Sequence, residues 1–193
     1  MLRLVAEKCT EILQKHGAVQ EDKKAIYIYG FELFWSTSAC IISILLFGAA
    51  GGYLGQAVVF LLCFVPIRTA AGGYHAKSYG RCFLLTNLIA VACVMTAGHL
   101  WAGRARWTEG ILWAALLAAF AYIWNQAPVN SPKHPLKPER VVKNRRYAHV
   151  ILIGETAVFL LIRLFLDRSV IYTGILTSCV VAVMIKFAEK GGE

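Results

Sequence analysis

The sequence predicts an all-α, polytopic membrane protein with about six transmembrane helices and an amphipathic interfacial helix at its N-terminus. Three observations carry that prediction. Only 16% of the 193 residues are charged and 58% are hydrophobic, with a mean hydropathy of +0.58, whereas a soluble domain carries about 25% charged residues. Apolar runs close to the ~20 residues that cross a ~30 Å hydrocarbon core recur along the chain. Lysines and arginines collect in alternate connections, as they do on the cytoplasmic side of membrane proteins.

Residues 1–24 alternate charged and apolar positions and lack the continuous apolar core of a cleavable signal peptide. Leu2, Val5, Ala6, Cys9, Ile12 and Leu13 recur at helical spacing opposite Arg3, Glu7, Lys8, Glu11 and Lys15. That pattern predicts a helix lying on the inner membrane surface; a partner-binding helix is the other reading. Six apolar runs follow, at residues 27–47, 53–67, 83–101, 110–126, 149–166 and 169–187. The second is the shortest, its start diluted by Gly51, Gly52 and Gly55. Losing it would invert every later segment.

Charge distribution checks this topology. With the N-terminus inside, the inner segments hold sixteen of the twenty basic residues; the others are Arg104, Arg106, Arg163 and Arg168. Six crossings with both termini cytoplasmic fit. The net charge of +9 then needs no nucleic acid to explain it, because anionic membrane lipids are the more economical partner.

Six cysteines without a C-x-x-C spacing argue against a structural zinc site, and no metal or other cofactor is implied. Cys40, Cys63, Cys93 and Cys179 lie inside apolar runs as small hydrophobes do. No clear repeat or long linker divides the chain, so residues 1–193 read as a single membrane domain. Its one extended polar segment is the basic, proline-rich stretch around 127–148, with Pro128, Pro132, Pro135 and Pro138, four of the five prolines. Proline fixes φ and pushes the preceding residue toward extended backbone, so the stretch should be extended until Pro138, with a short basic helix from Glu139 to Tyr147 leading into the fifth span. It reads either as a topology anchor or as a dock for an anionic substrate.

The segment 68–82, RTAAGGYHAKSYGRC, places an imidazole and a thiol at the inner edge of two spans. A thiol with a pKa near 8.5 becomes a nucleophile at neutral pH only beside a base or cations. Around Cys82 the sequence supplies His75, Lys77, Arg81 and Arg68. His75 is placed to take the thiol proton and return it to a leaving amine. Seven residues of regular helix advance ~10.5 Å, so the two cannot meet on one straight helix. Either the chain bends, most cheaply at Gly72, Gly73 or Gly80, or the pair forms across subunits. The residues alone leave open a loop histidine and a spectator thiol.

The pattern Arg68, Gly72-Gly73-Tyr74-His75, Cys82 resembles the signature of the accessory gene regulator B family (AgrB), integral-membrane cysteine endopeptidases of Gram-positive quorum sensing. The resemblance extends to the length, the amphipathic N-terminus, the six-span hydropathy and the Ala127-Pro128 loop with its following lysines. It implies a bacterial cell-membrane enzyme that cleaves the C-terminal tail of an amphipathic, AgrD-like precursor peptide and promotes cyclisation to an autoinducing peptide. It also implies a homodimer. By position, Cys82 resembles the nucleophile and His75 the general base. Arg68 and Gly73 match motif positions with a supporting role, and Lys133, Lys137 and Pro138 resemble the family's lysine and proline cluster. A Cys82 thioester retains much of the peptide-bond activation. A second thiol on the peptide can displace it to give a thiolactone; a hydroxyl would give a lactone.

Glu32 is an acid inside the first span, where an ionisable group is a functional hypothesis by default. It is placed to orient His75, to pair with Arg68, or to sit among inner headgroups. Ser78 and Asn87 are candidate oxyanion donors, as are backbone amides near Cys82. Glu155 and Arg163 are two turns apart, too far to pair, so each should meet another helix or snorkel to the interface. His16, His99, His134 and His149 read as surface histidines. The competing classes are a small transporter or exporter, which predicts pseudo-repeats and broken helices, and a non-catalytic chaperone of amphipathic peptides. No H-E-x-x-H marks a metalloprotease.

Overall fold

The apolar runs form helices because, in lipid, a backbone that leaves its amides and carbonyls unpaired loses several kcal/mol per group. A computed structural model describes residues 2–72, 78–103, 106–129, 138–165 and 169–190. They form α1 (Leu2–Lys15), α2 (Lys24–Gly51), α3 (Leu54–Ala71), α4 (Tyr79–Gly103), α5 (Arg106–Gln126), α6 (Pro138–Phe165) and α7 (Ser169–Lys190). No strand occurs among the described residues, and the six helices after α1 are long and apolar enough to cross a membrane. Six crossings put the two ends of the chain on one side.

α1 is the expected amphipathic helix, packed along α2 through its buried Ala6 and Thr10 while Leu4, Val5 and Ile12 stay exposed. The doubtful second span is a full one: α3 has 18 residues, about 27 Å at 1.5 Å each. The connection before it is tight. Gly52 (φ +74°) ends α2 in the left-handed conformation, with the Tyr53 amide donating to the Gly48 carbonyl at 2.7 Å. At Gly48 an added Cβ would stand 2.5 Å from the Ala57 Cβ, so only glycine lets α2 and α3 approach this closely.

α7 is the hub, packed against α3, α4 and α5 with Ile171, Ile175, Val181 and Ile185 buried. α2 lies at the periphery, where Leu33, Phe34, Ile42 and Leu46 face outward. Such an apolar surface is the side a lipid solvent covers. The basic helix expected at 139–147 is the start of α6 itself, a continuous 28-residue helix. At about 42 Å it is longer than the hydrocarbon core, which leaves length for its basic first turns to lie in the headgroup region. At the other end Arg163 pairs with Glu109 of α5. Glu155, midway along α6, faces Cys63 of α3, and neither carboxylate oxygen has a hydrogen-bond partner among the described residues.

Candidate active site

Where α3 ends and α4 begins decides the geometry around Cys82. Gly72 terminates α3 with φ +75°, a conformation open to glycine and costly for other residues. Of the three glycines at which a bend was expected, Gly72 ends the helix and Gly73 lies outside the described residues. Gly80 instead lies in the first turn of α4. The segment 68–82 is therefore helical at both ends: Arg68 sits in the last turn of α3 and Cys82 in the first turn of α4. His75, Gly73 and Lys77 lie outside the described residues, as do Lys133 and Lys137.

Arg68 and Cys82 belong to the adjoining ends of α3 and α4. The half-buried guanidinium donates to the Gly72 carbonyl at 2.5 Å and lies within electrostatic reach of the half-buried Cys82 thiol. Arg68 thus supports the end of α3 and presents positive charge to the thiol. Arg81 is exposed. Ser78 accepts a hydrogen bond from the Arg81 amide at 3.4 Å, while its carbonyl accepts from the Cys82 amide at 3.0 Å. Its role is that of an N-cap, fixing the turn on which Cys82 stands.

The first span contributes through Glu32, whose Oε2 accepts a hydrogen bond from the Tyr79 hydroxyl at 3.2 Å. One and a half turns beyond Cys82, α2 and α4 meet again. The Asn87 Nδ2 donates to the Phe83 carbonyl at 2.8 Å and approaches the Cys40 sulfur at 3.6 Å, and the Asn87 Oδ1 accepts from Ser43 at 2.6 Å. That amide is committed to joining helices, which removes it as an oxyanion donor. Cys40 also lies beside Thr86 and within electrostatic reach of Cys82.

The proline-rich segment reaches the same place. After α5 the Ala127–Pro128 peptide is cis, and the Val129 amide donates to the Ala71 carbonyl at 2.9 Å. A Cβ on Gly72 would lie 3.3 Å from the Val129 carbonyl. Arg145 of α6 fixes this turn, donating to Ala127 at 3.2 Å and Asn125 at 3.3 Å. His149 is not a surface histidine. Its ring stacks on Trp124 at 3.6 Å and its Nε2 lies 3.0 Å from the Trp124 carbonyl. Pro138 is exposed at the first position of α6, where its missing amide costs nothing. Next to it Glu139, Val142, Lys143, Arg146 and Tyr147 line a shallow groove of about 390 Å³.

Sequence reasoning missed Tyr79, Cys40, Arg145 and His149. A signal for one of them was present: Glu32, Ser36, Cys40 and Ser43 form a polar stripe at helical spacing in an otherwise apolar span. Arg145 and His149 stand among other cations and carry no such mark.

Comparison with known proteins gives one family. A model described as Accessory gene regulator B matches residues 6–186. A protein of Clostridium perfringens (strain 13 / Type A), named Putative AgrB-like protein 1, is 26% identical over 152 residues, covering 79% of this chain and 78% of that protein. No solved structure matches.

Proposed function

Because the chain belongs to the accessory gene regulator B family, whose members take part in processing the autoinducer from a propeptide, we propose that it is a cysteine endopeptidase acting through Cys82. The observation that carries this reading is that Arg68, at the end of α3, lies within electrostatic reach of Cys82, at the start of α4, on the two sides of the connection that holds His75. A cation next to a half-buried thiol stabilises the attacking thiolate, and a histidine in the adjoining connection supplies the base.

In the reaction, His75 takes the Cys82 proton and the sulfur attacks the scissile carbonyl. The acidic tail then departs as an amine carrying that proton, leaving the rest of the peptide as a thioester. Displacement by a thiol within the same peptide releases a thiolactone at little free-energy change; an internal hydroxyl would release a lactone. Arg81 and the basic first turns of α6, with Lys133 and Lys137 before them, bear the charge suited to the acidic tail and to anionic headgroups. The site works on the cytoplasmic side, with both termini there, in a homodimer.

Intact-mass spectrometry of the full chain in lipid nanodiscs, with the propeptide encoded beside its gene, tests the reading. Wild type should give an acyl adduct and a cyclic product lighter than the linear one by roughly one water; Cys82→Ala and His75→Ala should give neither. Peptide bound but uncut by all three proteins would favour the chaperone or transporter instead.

A further inference from the structure

The helices that carry the site run side by side in a register that places one more polar group at the nucleophile. α2 and α4 both follow the same direction across the membrane, separated by the single crossing of α3. Their contacts keep to a narrow range of offsets: Glu32 meets Tyr79 and Cys40 meets Asn87, each pair 47 positions apart, and Ser43 meets Asn87, 44 apart. Cys40 also meets Thr86, one position earlier. Stepping back four residues on both helices, about one turn each, converts the Cys40 and Thr86 pair into Ser36 and Cys82. The contact is bracketed, because α2 and α4 touch on the inner side at Glu32 and Tyr79 and on the outer side at Ser43 and Asn87. Helices held together at both ends of so short a stretch cannot diverge within it. Ser36 is half-buried, as a residue of this seam should be, while its neighbours Trp35 and Thr37 are exposed.

Resting on the peptidase reading above, we propose that the Ser36 hydroxyl is an oxyanion donor of the Cys82 acyl transfer. Among the described residues, the other candidates named for the oxyanion are engaged: Asn87 joins α2 to α4, Ser78 caps α4, and the Cys82 amide donates to Ser78. As the sulfur bonds to the carbonyl carbon, the π pair of the C=O moves onto oxygen, and that oxygen must lie within hydrogen-bond reach of a donor beside the sulfur. Ser36 donates its hydroxyl hydrogen there. When the intermediate collapses, the pair returns to re-form C=O, the C–N bond breaks, and the leaving amine takes the proton held by His75. The donor interacts most strongly with charge that exists only in the transition state, so its loss lowers turnover more than binding.

The test compares wild type, Ser36→Ala, Ser36→Thr and Thr37→Ala in nanodiscs, following single-turnover formation of the Cys82 acyl adduct from the same propeptide. Alkylation of Cys82 by iodoacetamide is measured in parallel. The expected result is an acylation rate about a hundredfold lower in Ser36→Ala, recovery of most of it in Ser36→Thr, no change in Thr37→Ala, and wild-type alkylation in all four. Acylation by Ser36→Ala at the wild-type rate would overturn the proposal and leave the peptidase reading standing. Loss of alkylation together with acylation would also overturn it, because the side chain would then be shaping the thiol rather than meeting the oxyanion. Absence of any adduct in wild type would remove the peptidase reading and the proposal with it.

Discussion

Val129 donates its amide hydrogen to the carbonyl of Ala71 at 2.9 Å, across 58 positions of sequence. This bond sets the start of the proline-rich segment against the end of α3, immediately before the connection that bears His75. It brings together two stretches that a reading along the chain treats separately.

Arg145 holds that arrangement from the third side. Arg145→Ala should free the 125–129 turn from α6 and lower kcat by tenfold or more, since a misplacement of about 1 Å costs up to a hundredfold. Arg145→Lys should recover only part, because an ammonium lacks the planar fork that reaches two carbonyls. Steady-state cleavage kinetics checks this; equal kcat in all three proteins would remove the clamp from the mechanism.

Glu32 and Tyr79 should behave as a pair. Tyr79→Phe and Glu32→Ala are each expected to lower activity, and the double variant no further than the worse single one, with a coupling of about 1 kcal/mol. Glu32→Gln keeps a carbonyl acceptor and should stay within a few-fold of wild type. A double-mutant cycle on cleavage rates measures the coupling, and additive losses would show that the two side chains act apart.

Arg68 supplies both a charge and a hydrogen bond to Gly72. Arg68→Gln should slow formation of the Cys82 acyl adduct by tenfold or more, and Arg68→Lys by less, since it keeps the charge near the thiol. Rapid-quench mass spectrometry distinguishes them; a glutamine variant acylating like wild type would contradict the electrostatic role.

Glu155 should limit stability. A buried carboxyl without a hydrogen-bond partner costs about 1–3 kcal/mol, so Glu155→Leu is expected to raise the thermal midpoint by several degrees with cleavage retained. Thermal unfolding in nanodiscs tests it. A lower midpoint, or lost cleavage, would show that the carboxyl meets a partner during the reaction.

Most of the architecture is legible along the chain, since lipid forces each apolar run of membrane length into a helix and local composition is enough to find it. The limits appear where composition and packing compete. The glycines at 51, 52 and 55 weaken the second run as a hydropathy signal, yet Gly48 and Gly52 are what allow α2 and α3 to turn and pack. His149 reads as interfacial because its neighbours are basic, and only the position of Trp124, 25 residues earlier, gives it a stacking partner and half-buries it.

The sequence by itself determined that the chain spans a membrane, where its cations gather, and which thiol and imidazole share a motif. Those properties depend on neighbours within a few turns, or on solvent, and need no knowledge of what packs on what. Tertiary structure alone decided that Arg68 lies within electrostatic reach of Cys82, that Glu32 meets Tyr79, that Asn87 is spent on joining helices, and that Arg145 holds the 125–129 turn against α6. Each is a contact between side chains or backbone groups on different helices. Its existence depends on crossing, rotation and register, which in lipid are set by close packing and scarce polar pairs rather than by hydrophobicity.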